Sequence, residues 1–306
     1  MRFILPIFAV LALVWGGYWF YGASRLEDEA VAWFAQASDR GQRATHEGVA
    51  VAGFPNRFDL TVTAPEIIDL HSQLGWRAPF IQVFALSYRP NHVIITWPNE
   101  QEVVLGAETL ALSSARMQAS AVFAGMGSRL DRATLVAEAL QVVARDWALG
   151  LAEAQLSLRS MAARRNSYEF AFNAAEIGSD LLPDTGALVL DGTVALDPAN
   201  RPQEIVLTNL TLRSGDGELR GEGRLEVAGD GTLTGRIDLR ATEWQVFLTQ
   251  AVELGLIRPE VAPTWENALG MLAQLSGTPD ALSVPLAFNR GMMSLGPLPI
   301  GPAPRF

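Results

Sequence analysis

The stretch that decides the fold is ELRGEGRLEVAGDGTLTGRIDLR, residues 218–240. Leu219, Gly221, Gly223, Leu225 and Val227 fall on one side of a period-two pattern, with Glu218, Arg220, Glu222, Arg224 and Glu226 on the other. Leu233, Gly235, Ile237 and Leu239 then repeat it against Thr234, Arg236, Asp238 and Arg240. Alternation of this kind reads as two half-buried strands of one hairpin. A three-residue loop at Ala228-Gly229-Asp230 sets Glu222 opposite Arg236, Arg220 opposite Asp238, and Glu218 opposite Arg240. Each such pair is worth ~0.2–1 kcal/mol. A loop two residues longer or shorter keeps the same faces, so the faces are better defined than the register. The nine residues of the apolar side, Leu219 to Leu239, form a candidate groove. Its glycines either lower the groove floor or ease twist and make room for a packed helix.

Similar alternation surrounds this hairpin. Phe58, Leu60 and Val62 alternate with Arg57, Asp59, Thr61 and Thr63, and strand-like runs follow at 80–88, 92–97, 101–112, 116–123, 129–144, 150–160, 167–176 and 186–196. The run 129–144 is rich in alanine and is also compatible with a helix. Turn signals recur at Asp191-Gly192, Asp230-Gly231 and Asn289-Arg290-Gly291, and Asp-Gly between alternating runs is a hairpin signal. Strands in succession imply an antiparallel meander, not βαβ crossovers.

Two helices interrupt the strands. Thr242 and Gln245 have capping-box spacing ahead of Val246, Phe247, Leu248, Val252 and Leu254, with Gly255 and Pro259 as stops. A second helix spans 264–275, with Trp265, Leu269 and Leu272 at helical spacing and Gly277 and Pro279 beyond it. The apolar face of a sheet is their natural partner. A hairpin at 282–296 and the Pro-rich tail PLPIGPAP close the chain, the tail as an edge or extended segment.

The amino terminus sets the expected compartment. Residues 3–23, FILPIFAVLALVWGGYWFYGA, carry no charge, and 21 residues of helix are about 31 Å long, the thickness of a bilayer core. Trp15, Tyr18, Trp19 and Tyr21 gather at the far end like an interfacial belt. Arg2 precedes the stretch, and Arg25 is offset by Glu27, Asp28 and Glu29, which places the short end in the cytoplasm. A retained signal anchor competes with a cleaved signal peptide, whose apolar region is shorter and ends in a small-residue site; Gly22-Ala23-Ser24 is the only passable one. Ser24 and Glu27 make a capping box for a membrane-exit helix over 24–41, with Leu26, Ala30, Trp33, Phe34 and Ala37 on one face and Gly41 as its stop. Either way the bulk of the chain is expected in the periplasm.

Composition narrows the chemistry. The 306 residues include 33 acidic and 23 basic ones, a net charge of −10, with no cysteine and arginine as every basic residue. No cysteine means no thiol catalysis or disulfide framework, and no lysine means no Schiff base and no P-loop. The acidic balance argues against nucleic acid as a partner. Biased codon usage is the reading of the all-arginine set. His46, His71 and His92 are far apart, with no metal-ligand spacing. His92 lies among apolar neighbours, Ser128 in GMGSR is not a nucleophile elbow, and Asn209-Leu210-Thr211 is a sequon by pattern only. The Glu27–Asp28–Glu29 cluster reads as a helix start and Arg164-Arg165 as a solvated pair. No catalytic, cofactor-binding or metal site is expected, and no cofactor.

GVAVAGFPNRFDLTV (48–62), WRAPFIQVFALSYRPNHVIITWP (76–98) and LAFNRGMMSLGPLPIG (286–301), together with the signal anchor, resemble an uncharacterised bacterial family of envelope proteins, a domain of unknown function. The anchor, the G-x-L-x-G-x-L hairpins and the late helix pair also resemble AsmA-like envelope proteins. That resemblance implies long curved sheets whose apolar grooves carry or shield lipids. The expected architecture is therefore mainly β (α+β): a transmembrane anchor (1–23), a membrane-exit helix (24–41), and a β-rich periplasmic domain (42–306) with a helical insertion at 243–276. The expected role is inner-membrane anchoring with binding or passage of acyl chains along the groove. A scaffold or assembly factor for envelope proteins is the alternative, and a hydrolase the third.

Overall fold

The computed structural model describes residues 4–106, 108–125, 129–180, 185–198, 200–254, 257–275 and 280–304, with 4–9 and 275 described by backbone alone. Arg2, Ser128, Gly255, Gly277 and Pro279 lie outside the described residues. The described residues form twenty strands and three α-helices, and every strand pairing among them is antiparallel. The chain divides into two compact units, Met1–Asp146 and Trp147–Phe306.

The first unit is a meander whose strands are broken along one crease. The first five passes are split in two: β1 (Gln42–Thr45) and β2 (Gly48–Ala52); β3 (Arg57–Thr63) and β4 (Glu66–Asp69); β5 (Leu74–Arg77) and β6 (Phe80–Leu86); β7 (Arg89–Thr96) and β8 (Glu100–Leu105); β9 (Glu108–Ser113) and β10 (Arg116–Phe123). The sixth, β11 (Leu130–Val143), is continuous, pairing β10 and then β9, with Ala139 at φ 48° near the step. Pro65, Pro79 and Pro98 occupy three of the breaks, where a missing amide cannot continue a central ladder. Bonds across the crease reconnect the backbone: Ala64 N donates to Pro79 O (2.8 Å), Ala78 N to Pro65 O (3.2 Å) and Ser114 N to Asn99 O (2.9 Å). The expected strand 101–112 is thus a hairpin turning at Gly106, and 129–144 is a strand.

A single helix, α1 (Ile4–Ala35), runs along the β1–β2 edge. The capping box at Ser24 does not form, because nothing between Ser24 and Ala35 breaks the helix. Glu27 instead accepts a hydrogen bond from Val51 N at 2.7 Å, occupying a donor of β2. Trp19 and Ala23 bury Phe58, with Leu26 and Val51 packed beside them. Gly41 does end this region, in the left-handed conformation at φ 71° after a short 3-10 turn.

The second unit is an unbroken meander of β12 (Ala148–Ser160), β13 (Ser167–Ser179), β14 (Gly186–Leu196), β15 (Pro202–Ser214), β16 (Gly217–Val227), β17 (Leu233–Thr242), β18 (Ala281–Asn289), β19 (Met292–Leu295) and β20 (Leu298–Pro302). The Pro-rich tail is the edge strand β20. Between β17 and β18 stand α2 (Trp244–Glu253) and α3 (Ala262–Leu275). Thr242 does not cap α2. It belongs to β17, and Glu243 at the helix start makes no side-chain cap bond.

The register of the founding hairpin differs from the expected one by two residues. Arg220 faces Arg240, Glu222 faces Asp238 and Arg224 faces Arg236. The loop spans 228–232, closed by Gly231 N to Ala228 O and Ala228 N to Thr232 O, both 2.9 Å, with Gly231 at φ 80°. Exposed ion pairs are worth under about 1 kcal/mol each, so this turn outweighs them. The charges find partners elsewhere: Arg220 and Arg213 on Glu218 at 2.6 and 2.8 Å, Arg224 and Arg164 on Glu204 at 2.8 Å.

Asp191-Gly192 is not a turn either. Both residues lie inside β14 at a register shift, where Asn209 Nδ2 donates to Asp191 Oδ2 at 2.9 Å. The Asp230-Gly231 and Arg290-Gly291 turns form as expected, the latter with φ of 52° and 75°.

From Arg220 to Glu226 in β16 and from Thr234 to Thr242 in β17 every second residue is exposed, so one face of the sheet is open there.

Candidate functional site

The strongest candidate lies in the second unit, between the helix pair and the sheet. Ala241, Trp244, Leu269, Ala273, Leu282 and Val284 form its buried core, with Leu219, Phe247, Leu248, Trp265, Leu272, Leu295 and Leu298 packed around them. Hydrophobic spacing turns one face of each helix to the sheet. Gln250, 8% exposed, ties α2 down by donating to Ser214 Oγ at 2.7 Å. At Gly217 a side chain would meet the Phe247 ring at 3.0 Å, so glycine admits the aromatic.

Packing here leaves a cavity of about 450 Å³. Its floor is Leu219, Leu239, Ala241, Leu282, Val284, Leu295 and Ile300, and its roof is Trp244, Phe247, Leu248, Ala251, Trp265 and Leu269. Ile257, Arg258 and Val261, from the link between the helices, complete the lining. Arg258 is its only charged residue; it is exposed, and its guanidinium has no hydrogen-bond or ion-pair partner among the described residues. A cavity of ~300–1,000 Å³ lined by aliphatic and aromatic groups with few polar ones is the usual form of a small-molecule site. This one suits a chain-like apolar group with an anionic end at the guanidinium.

The candidate groove residues are divided by the structure. Leu219 and Leu239 line the cavity. Leu225, Val227 and Ile237 continue the same face along the strands, half-buried and outside the helix-covered cluster, while Leu233 is 2% exposed. The glycines serve the backbone more than a groove floor. A Cβ on Gly223 would lie 2.2 Å from Arg236 O, and one on Gly235, at φ 133°, would lie 2.2 Å from Arg224 O. Gly221 is less restrictive, meeting the flexible Leu239 side chain at 2.8 Å. Periodicity of the helices pointed to Phe247, Leu248, Trp265 and Leu269. Nothing in the sequence marked Arg258, Ala251 or Ile300, which join the site only through the fold.

The family model of uncharacterized proteins conserved in bacteria (DUF2125) matches residues 19–304. The chain belongs to this family. No curated protein and no solved structure matches it.

Elsewhere in this DUF2125 chain, hollows of about 470 and 910 Å³ open on the opposite, charged side of β15–β18, lined by residues such as Glu222, Arg224 and Asp238. These side chains are exposed, and Arg224 already pairs with Glu204, which disfavours the hollows as apolar sites. Another, of about 710 Å³, follows the crease of the first unit past His46, Glu66, Arg77 and Glu102, where Arg77 and Glu102 are ion-paired.

The three histidines stay apart. His46 meets the Phe34 ring edge-on at 4.7 Å, His71 lies in the 70–73 turn, and His92 Nε2 is 2.9 Å from Ser120 Oγ. No carboxylate bonds to the His92 ring among the described residues, nor does any group of three His, Cys, Asp or Glu side chains there suit a metal. Glu29 pairs with Arg25 at 3.2 Å and Arg164 with Glu204, so both charge clusters serve local structure.

Two carboxylates titrate low. Asp69 is held below the ordinary carboxylate range by hydrogen bonds from Ser72 N, Ser72 Oγ and His71 N. Glu218 is held low by Arg213 and Arg220.

Proposed function

We propose that this family member is a non-catalytic envelope protein, anchored in the bacterial inner membrane by residues 3–23, that binds an acyl chain in its periplasmic portion. The observation that carries the reading is the apolar cavity with a lone cation, continued by the half-buried row Leu239, Ile237 and Leu225. The acyl tail lies between α2–α3 and the sheet, and its carboxylate or phosphate end meets Arg258. The hairpin pattern that resembles AsmA-like proteins supports lipid as the ligand class.

Among the described residues no helix is long and apolar enough to cross a membrane. The anchor therefore rests on the uncharged stretch 3–23 as a whole. Support comes from Val10, Leu11, Leu13 and Val14, which are 58–76% exposed, with Ala12 exposed on the remaining side of α1. The scaffold alternative is less supported: Pro299 and Pro302 blunt the β20 edge, and α1 covers the β1–β2 edge.

The test is lipid analysis of the purified full-length protein against Ala251→Trp, which fills the cavity. Acyl lipid at near-stoichiometric yield from the wild type and its loss from the variant are expected. Equal lipid in both would refute the cavity as the site.

A further inference from the structure

Where α1 emerges, the first unit carries an aromatic rim whose backbone is already satisfied. Trp15 Nε1 donates to Pro55 O (3.0 Å), Tyr18 OH to Ser87 O (2.7 Å), and Trp19 Nε1 to Arg57 O (2.7 Å). Two turns are thereby clasped to the helix, 53–56 between β2 and β3 and 87–88 between β6 and β7. Further bonds close them internally: Arg57 N to Gly53 O and Ser87 N to Asn56 O, both 2.9 Å, and Ser87 Oγ to Pro55 O at 3.3 Å. Trp15, Tyr18 and Trp19 are thus not free belt residues of a spanning helix. They bind the protein.

The apolar groups around this clasp face outward. Phe20, Tyr21, Phe54 and Tyr88 are 63%, 70%, 54% and 63% exposed, and Phe20 stacks on Phe54 at 5.6 Å. Immediately before the clasp, α1 shows the bare apolar stretch Val10–Val14. We infer that turns 53–56 and 87–88 are seated in the periplasmic leaflet, beside the helix that enters it. This inference rests on the anchor part of the proposed function and adds to it the face that contacts lipid.

Helix geometry sets the depth. At ~1.5 Å per residue, Trp15 lies about 9 Å along the axis from Tyr21. With Tyr21 at the membrane surface, Trp15 and the Pro55 turn bound to it reach the depth of interfacial elements, ~5–10 Å into the headgroup–acyl boundary. Polar backbone at that depth requires partners, and the three aromatic donors provide them for the Pro55, Arg57 and Ser87 carbonyls. Tyr and Trp are also the side chains that favour this zone. Exposed Arg89 beside Tyr88 is placed to meet phosphate headgroups.

The chain has no cysteine, so single spin labels need no background removal. Full-length protein in bilayers of phosphatidylethanolamine and phosphatidylglycerol would carry a nitroxide at Tyr88→Cys, Phe54→Cys, Leu11→Cys or Leu105→Cys. Leu105, 46% exposed, sits at the opposite turn of the meander and serves as the water reference. The expected result is that labels at 88, 54 and 11 gain oxygen collisions and lose nickel-complex collisions relative to 105, with 11 deepest. If 11 is in lipid while 88 and 54 match 105, the seat is overturned and the anchor stands. If 11 also matches 105, both fall. The Tyr88 side chain is 63% exposed and makes none of the clasp bonds, so its reading does not depend on the clasp surviving substitution.

Discussion

The two units solve the same problem in different ways. Both are antiparallel meanders with one apolar face, yet the first breaks nearly every strand at a crease and the second runs its strands whole. Prolines at 65, 79 and 98 sit at three of the five breaks, where neighbouring segments bridge the ladder, while the breaks at 46–47 and 114–115 carry none and Pro285 lies inside the unbroken β18. The covering helices differ too. In the first unit α1 lies along an edge and closes it, with Trp19 stacked on Phe58 at 5.8 Å. In the second, α2 and α3 lie on the face and leave a cavity beneath them. A helix fitted to an edge seals; a pair laid over a face leaves a half-open cleft. That contrast is why the proposed ligand site lies in the second unit.

The largest expected effect comes from breaking the edge seal. Trp19→Ala removes a 4%-exposed indole and should cost ~3–5 kcal/mol in the first unit, seen as faster hydrogen exchange over β2 and β3. Unchanged exchange there would mean that α1 contributes little to closing the edge. Leu282→Ala, under the helix pair and 5% exposed, should cost ~2–5 kcal/mol with exchange rising in β17 and β18. If exchange rose equally in both units, the two cores would not be separate.

Gly223→Ala probes the unbroken strands. With its Cβ at 2.2 Å from Arg236 O, the backbone must move, at a cost of ~1–3 kcal/mol. Gly229→Ala, with open space around it, should stay within ~0.5 kcal/mol of wild type. Equal denaturation midpoints would show that glycine at 223 is not required by the close strand approach.

The smallest effects are electrostatic, one in each unit. Asp69 and Glu218 both have folded pKa values below their unfolded ones, so their stabilisation is present above the unfolded pKa and is lost as pH falls through the folded value. Carbon-13 titration should find both midpoints below ordinary Asp and Glu. Ser72→Ala should raise that of Asp69 alone, and Arg213→Gln that of Glu218 alone. An unshifted Asp69 in wild type would remove the Ser72 and His71 bonds from the account.

The sequence made the meander legible because alternation survives in most strands and turn glycines mark Gly231 and Gly291. It was least legible where one residue changes parity. In β15 the register slips between Leu207 and Leu210, so Ile205 and Leu207 fall out of step with Leu210 and Leu212, and no strand was expected there. Asp191-Gly192 had turn chemistry inside a strand, because Asp191 is held by Asn209 from the next one. The Ser24 and Thr242 capping boxes failed for a shared reason: spacing shows what a side chain can cap, but neighbouring segments decide whether the helix begins there. Of the site, the helix aromatics and Leu219 and Leu239 were visible as periodic apolar residues. Arg258 was not, since an isolated arginine in a link acquires meaning only beside a cavity.

The central claim is most directly tested by photo-crosslinking a diazirine fatty acid to the purified full-length protein and mapping the labelled peptides. The account predicts label concentrated on 244–269 and 282–300, reduced by Ala251→Trp. Label absent from both segments, with the protein folded and the probe bound, would contradict it.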